Sequence, residues 1–254
     1  MSRFAANLTF LFTELPMSQR FQAAKKAGFD GVEILFPYDL ATKELSAAAQ
    51  SADMEFILMN TPPPNWSGGP RGFAAEPGRE ARFRSDFDRA LRFGQALRTR
   101  HIHIMAGKAQ GAEARQIFVE NLKWAAHRAP HASLLIEPIN PTDMPGYFLA
   151  DFDQAAEIIG EVDAPNLGLL FDVYQAQMIH DDPIAVWRKH AALARHIQIA
   201  GYPGRHEPRQ GETDYLGFFN EVAASGYSGW IGAEYYPRTT TEAGLRWLSD
   251  GRDQ

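Results

Sequence analysis

Four short apolar runs in the second half of this sequence each finish on a side chain able to ligate a metal: Leu134-Leu135-Ile136-Glu137, Leu169-Leu170-Phe171-Asp172, His196-Ile197-Gln198 and Trp230-Ile231-Gly232-Ala233-Glu234. A carboxylate at the end of an apolar strand is costly to bury unpaired, so several such ends converging in one fold point to something positive between them. Glu137, Asp172, Gln198 and Glu234 form an all-oxygen set, which suits one hard divalent cation, Mg²⁺ or Mn²⁺, better than a structural zinc. Taken singly, each carboxylate reads more readily as a helix cap, a salt-bridge partner or a solvated loop residue. Their recurrence in consecutive units favours ligation. Pro138, and Pro237 three residues past Glu234, stop the runs sharply and leave the carboxylates at a rim.

Bringing four such ends to one mouth requires parallel strands, and the chain alternates short β-like runs with longer amphipathic stretches. The candidate strands are Phe4–Phe10, Val32–Leu35, Glu55–Asn60, His101–Met105, Ser133–Glu137, Leu167–Asp172, His196–Ile199 and Trp230–Glu234. Helices are expected at Ser18–Ala27, Arg79–Leu97, Ala112–Ala129, Phe152–Ile159, Pro183–Leu193 and Tyr215–Ala224. Gly28-Phe29-Asp30-Gly31-Val32 and Gly226-Tyr227-Ser228-Gly229-Trp230 share an αβ-turn pattern, with a glycine suited to a helix end and a second before the next strand. The Pro/Gly-rich stretch Thr61–Gly72 reads as a βα loop. Eight βα units in about 250 residues is the size of a TIM (β/α)8 barrel, an α/β fold whose site lies at the C-terminal ends of its strands. A single domain over 1–254 is therefore expected. A doubly wound open sheet is the weaker alternative, because neither Gly-x-Gly-x-x-Gly after the first strand nor a Walker sequence is present.

Composition narrows the partners. The net charge of −6 argues against a nucleic-acid partner. The absence of cysteine removes disulfides, thiolate sites and a Cys nucleophile, and fits a reducing compartment. No signal-peptide pattern opens the chain, and no run approaches the roughly 20 apolar residues of a membrane span, so a soluble, cytoplasmic protein with no membrane partner is expected. Apolar patches on the outer helices would support a homodimer, which a mass measurement would check. His101-Ile102-His103-Ile104 is expected to place its imidazoles on opposite sides of a strand, with at most one at the site.

Glu137-Pro138-Ile139-Asn140, Phe171-Asp172-Val173-Tyr174, His196-Ile197-Gln198-Ile199-Ala200, Pro203-Gly204-Arg205-His206-Glu207-Pro208 and Glu234-Tyr235-x-Pro237 resemble the hydroxypyruvate isomerase family of xylose-isomerase-like TIM barrels. Phe4-Ala5-Ala6-Asn7-Leu8, Phe12-Thr13-Glu14, Gly31-Val32-Glu33-x-Leu35-Phe36-Pro37-Tyr38, Arg71-Gly72 and Pro77-Gly78-Arg79-Glu80 extend the likeness over essentially the whole chain. Each motif is short; their order is specific.

The resemblance implies a metal site of Glu137, Asp172, Gln198 and Glu234, with Glu137 and Glu234 also passing the proton. The activity implied is isomerisation of a small hydroxy-keto acid, hydroxypyruvate to tartronate semialdehyde or a related 2-oxo-tetronate. Such a reaction needs proton removal beside a carbonyl, an enediolate, and reprotonation at the neighbouring carbon; a cation and two acid/base groups suffice. Arg205 is expected at a substrate carboxylate, or else as a loop-ordering residue. Asp143 is expected at a substrate hydroxyl, or in an Asx turn before Met144-Pro145-Gly146. His206 is expected to orient its loop. Two departures stand beside the site: Gln175 where the family usually carries a substrate-bonding His, and Gly201 where it tends to have Asp. Gln bonds but does not shuttle a proton at neutral pH. The alternatives are a ketose 3-epimerase or sugar-acid dehydratase on the same barrel, or a metal- and sugar-acid-binding homologue without turnover. A phosphodiester-cleaving repair enzyme ranks last, for want of His ligands and a positive face.

Overall fold

Apolar runs and amphipathic segments assemble into a closed barrel of eight parallel strands in chain order. The computed structural model describes residues 3–63, 71–209 and 211–248. The strands are β1 (Arg3–Asn7), β2 (Gly31–Glu33), β3 (Glu55–Asn60), β4 (His101–His103), β5 (Ser133–Ile136), β6 (Leu167–Asp172), β7 (Ala194–Ile199) and β8 (Trp230–Ala233). Five of these strands, β1, β2, β4, β5 and β8, end earlier than expected. β1 stops at Asn7 because its carbonyl turns to accept the N–H groups of Phe10 and Leu11. Glu137 and Glu234 each sit one residue past the last paired position.

The helices are α1 (Met17–Lys26), α2 (Thr42–Ala52), α3 (Glu80–Leu97), α4 (Gly111–Arg128), α5 (Phe152–Val162), α6 (Val173–His180), α7 (Pro183–His190) and α8 (Tyr215–Ala224). Two were not anticipated. The buried stripe of α2 is Leu45, Ala49 and Ala52, too weakly apolar to stand out as amphipathic. α6 follows β6 with no break: Asp172 ends the strand and caps the helix, its Oδ1 accepting from the Tyr174 N–H at 2.8 Å. α5 runs through Gly160 and ends at Asp163, in the left-handed region at φ 49°. Of the expected loop Thr61–Gly72, residues 64–70 lie outside those described.

Between strands and helices the core is aromatic: the Phe171 ring centroid lies 5.1 Å from Trp187, 5.2 Å from Phe152 and 5.9 Å from Phe218. Inside the barrel the floor is apolar, with Ala5, Ile57 and Trp230 packed together and Gly31 leaving room for Ile57 and Trp230. Leu58, Leu135 and Leu170 form a second apolar cluster. Among the described residues, Leu216 and Tyr236 are the large hydrophobic side chains left exposed, a sparse exterior that does not by itself define a dimer face. Among those residues no helix is long and apolar enough to cross a membrane.

Asp214 caps α8, its Oδ1 accepting from the Gly217 N–H at 2.9 Å. Asp214→Ala is expected to cost about 1 kcal/mol. A thermal melt should register it as a fall of about 2–4 °C.

Candidate active site

Every strand delivers a polar side chain to the C-terminal mouth: Asn7, Glu33, Asn60, His103, Glu137, Asp172, Gln198 and Glu234, none more than 6% exposed. Pleat and parallel register explain this, since Asp172 pairs with Gln198 and Gln198 with Gly232, so equivalent positions on neighbouring strands point the same way. The mouth opens into a cavity of about 480 Å³, walled by polar Glu137, Asp143, Gln175, Gln198, Arg205 and Glu234 and by apolar Phe10, Phe36, Met144 and Tyr236. Asp172 is not on this wall but bonds Arg205, which is.

Arg205 sits among the carboxylates. Its Nη2 is 2.9 Å from Asp172 Oδ2 and 3.0 Å from Glu234 Oε1, and the guanidinium carbon lies 5.2 Å from the centre of the Tyr174 ring. A tight loop holds it: Gly201 and His206 exchange backbone hydrogen bonds of 2.7 and 3.2 Å, and the Tyr236 N–H donates to the Arg205 carbonyl. His206 stands outside the cavity wall, with Nδ1 2.8 Å from the Tyr236 carbonyl. A Cβ on Gly201 would come within 2.4 Å of the Glu207 carbonyl oxygen, so a side chain at this position would force the loop open.

Burial, followed by the charges of Asp172 and Glu234, pushes the Glu137 carboxyl well above its usual range. Burial raises Glu234 to about 8 against the lowering pull of Arg205. Asp172 is raised as well, burial outweighing Arg205 and the backbone N–H groups of Tyr174 and Gln175. One guanidinium does not offset three buried carboxylates. Among the described residues no three His, Asp or Glu side chains converge as a metal-holding group; Arg205 Nη2 stands between two of them.

Beneath lies a polar network. Glu33, fully buried, accepts from Asn7 Nδ2 at 3.0 Å and Gln198 Nε2 at 2.8 Å, and its Oε1 is 2.5 Å from His196 Nε2. Among the described residues the buried Gln198 Oε1 has no hydrogen-bond partner. Contrary to expectation, both imidazoles of β4 face the interior, because residues two apart along a strand share a face. They differ in depth: His103 Nδ1 is 3.5 Å from Glu137 Oε2, whereas the His101 ring lies 5.6 Å from that of His196. Gln175 Oε1 accepts from the Asn140 backbone N–H at 2.9 Å and its Nδ2 at 2.7 Å, so Gln175 turns its NH₂ group to the cavity. The Asx turn belongs to Asn140, whose Oδ1 accepts from the Asp143 N–H, while Asp143 accepts from Asn140 Nδ2 and stays on the cavity wall.

Asn7, Glu33, Asn60 and Asn140 belong to the site as well, with no expectation placing them there. Glu33 carried the signal that marked the other carboxylates, a charge closing an apolar strand, but in the first half of the chain.

The profile described as "Xylose isomerase-like TIM barrel" matches residues 21–251. The 2-oxo-tetronate isomerase of Cupriavidus necator is 45% identical over 98% of both chains, and the hydroxypyruvate isomerase of Escherichia coli 41% identical over 99% of this chain and 100% of that one. The chain belongs to the hydroxypyruvate isomerase family. A solved structure titled AP endonuclease, family 2, from Brucella melitensis superposes with a TM-score of 0.95 at 40% identity, covering 98% of this chain and 99% of that one. A 3-keto-D-glucoside 4-epimerase from E. coli, at 18% identity and a TM-score of 0.81, shows the shared fold alone.

In this hydroxypyruvate isomerase family member the buried groups dictate how stability varies with pH. Burial lowers His101 and His103 from 6.5 to about 3, so the native state binds fewer protons than the unfolded chain in that window, and stability is lost as pH falls through it. Glu234 is raised from 4.5 to about 8, so its contribution is present at low pH and lost as pH rises through that window. Metal-free protein is expected to melt highest at mildly acidic pH and lower on both sides, and Glu234→Gln to remove much of the alkaline fall. Melts over pH 3 to 9 that rise steadily to the alkaline end would contradict this.

Proposed function

We propose that this protein isomerises a small 2-oxo-3-hydroxy acid, hydroxypyruvate or a 2-oxo-tetronate, by carrying a proton between adjacent carbons with Glu137 and Glu234. The observation that carries the reading is the pair of buried carboxyls, Glu137 and Glu234, facing one cavity, where both can reach a bound substrate and where burial raises both in the metal-free protein. One carboxylate takes the proton from the hydroxyl-bearing carbon, and the other carboxyl delivers a proton to the former carbonyl carbon of the enediolate. The hydroxyl and carbonyl oxygens exchange the second proton, so atoms balance without any redox partner.

The donor chemistry suits a divalent cation, Mg²⁺ or Mn²⁺, which would take the place that Arg205 Nη2 holds between Asp172 and Glu234. Gln198 contributes a buried oxygen without a partner among the described residues, and Glu137, Asp172 and Glu234 supply negative charge that Arg205 alone does not offset. When bound there, such an ion would supply Lewis-acid polarisation of the substrate oxygens. Arg205 uses Nη2 on two carboxylates and Nε on the Glu234 carbonyl, and among the described residues Nη1 is left for a substrate carboxylate. Gln175, fixed by Asn140, offers its NH₂ to a substrate oxygen. Asp143 stands on the same wall for a hydroxyl, and the cavity has room for three- and four-carbon acids.

The test is incubation of metal-replete protein with hydroxypyruvate and with a 2-oxo-tetronate in deuterated water, followed by product analysis. Label at the carbon next to the carbonyl together with the aldehyde product is expected. A 3-epimer or a dehydrated acid would reassign the chemistry on this barrel, and tight binding with no label would leave a sugar-acid-binding homologue.

A further inference from the structure

We infer that Glu33 is a positioning residue that fixes the side-chain amide of Gln198 with its oxygen, rather than its NH₂ group, presented to the carboxylate cluster. The inference rests on the cation site proposed above and assigns it a part that no cavity-wall residue supplies.

A glutamine amide can turn over at little steric cost, exchanging a donor for an acceptor in the same space. At Gln198 the choice decides whether the site meets an oxygen ligand or two N–H groups that repel a cation. Glu33 biases that choice. Its Oε2 accepts from Gln198 Nε2 at 2.8 Å; turned over, the amide would bring its oxygen against a buried carboxylate oxygen. The carboxylate is itself immobilised. Asn7 Nδ2 donates to the same Oε2 at 3.0 Å, and His196 Nε2 lies 2.5 Å from Oε1. Gly232 completes the cradle: a Cβ there would stand 1.9 Å from Glu33 Oε1, so only glycine on β8 lets the carboxylate reach across the barrel from β2. The consequence is visible at the other end of the amide, where Oε1 of Gln198, a residue of the cavity wall, is buried without a partner among the described residues. A buried acceptor held in that state is explained by a ligand it serves.

The experiment is Mn²⁺ calorimetry on the full chain, comparing wild type, Glu33→Gln, Gln198→Ala and the double variant. Glu33→Gln replaces a carboxylate accepting on both oxygens with an amide accepting on one, and is expected to weaken Mn²⁺ binding about 10–100-fold. The double variant should bind no more weakly than the poorer single one, because both changes remove the same aimed oxygen. Wild-type affinity in Glu33→Gln, or losses that multiply, would overturn the inference. A second readout needs no variant that may misfold: in labelled wild-type protein the Gln198 side-chain N–H signals should exchange slowly and hold their positions on adding Mg²⁺, while the amide carbonyl carbon shifts. N–H signals that move while the carbon does not would overturn it too. A wild type that binds neither ion refutes the cation reading instead, and Glu33 is then judged on slow exchange of those N–H signals alone; rapid exchange refutes it.

Discussion

Glu137→Gln and Glu234→Gln should each lower turnover about 10²–10⁴-fold, the range general acid–base catalysis supplies. Amide replaces carboxyl at nearly constant shape, so packing is retained while the ability to take or give a proton is lost. A general unfolding effect is distinguishable by its sign. Burial raises both carboxyls, so removing their charge should leave the metal-free protein at least as stable at alkaline pH as wild type. Loss of turnover with an unchanged or higher melting temperature is therefore the expected pairing. The two variants should also differ. In a given direction, loss of the base abolishes exchange of the substrate C–H with deuterated water, whereas loss of the acid leaves exchange without product. Wild-type turnover and exchange in both variants would end the assignment of Glu137 and Glu234.

Arg205→Ala should be the most damaging change to the metal-free fold at alkaline pH. The side chain is only 18% exposed and is the cation shared by Asp172 and Glu234. Removing one partner from a buried ion pair costs about 3–5 kcal/mol. For a domain of this size that is a fall of about 6–20 °C. The loss should grow with pH. Without the guanidinium both carboxyls rise further; below their folded values they are neutral and cost little, and above those values the stability they contribute is gone. Melts at mildly acidic and at alkaline pH should show a small and a large deficit respectively, and equal deficits would refute the counterion role. Arg205→Lys should recover part of the alkaline loss, because an ammonium supplies the charge that Nη2 brings to both carboxylates but not the further N–H groups that the guanidinium keeps for the Glu234 carbonyl and a substrate.

Much of the architecture was legible without coordinates. β3 and β6 match the expected runs residue for residue, because each is a buried apolar stretch bounded by polar residues. α2 and α6 were not legible: one has a stripe mostly of alanine, and the other starts on the residue that ends the preceding strand. The imidazoles of β4 show a different failure. Alternation was recognised there, but the shared face of residues two apart was misassigned.

Sequence alone determined the barrel and the four oxygen-bearing strand ends, because parallel strands impose a period and a common direction that local pattern records. Tertiary structure decided what those side chains meet. Nothing local to Arg205 places it between Asp172 and Glu234, nothing local to Gln175 shows its oxygen taken by Asn140, and nothing local to Gly232 reveals that its missing Cβ admits Glu33 to Gln198. Those contacts join residues far apart in the chain, and their energies arise from burial and charge at distances that only the closed barrel sets.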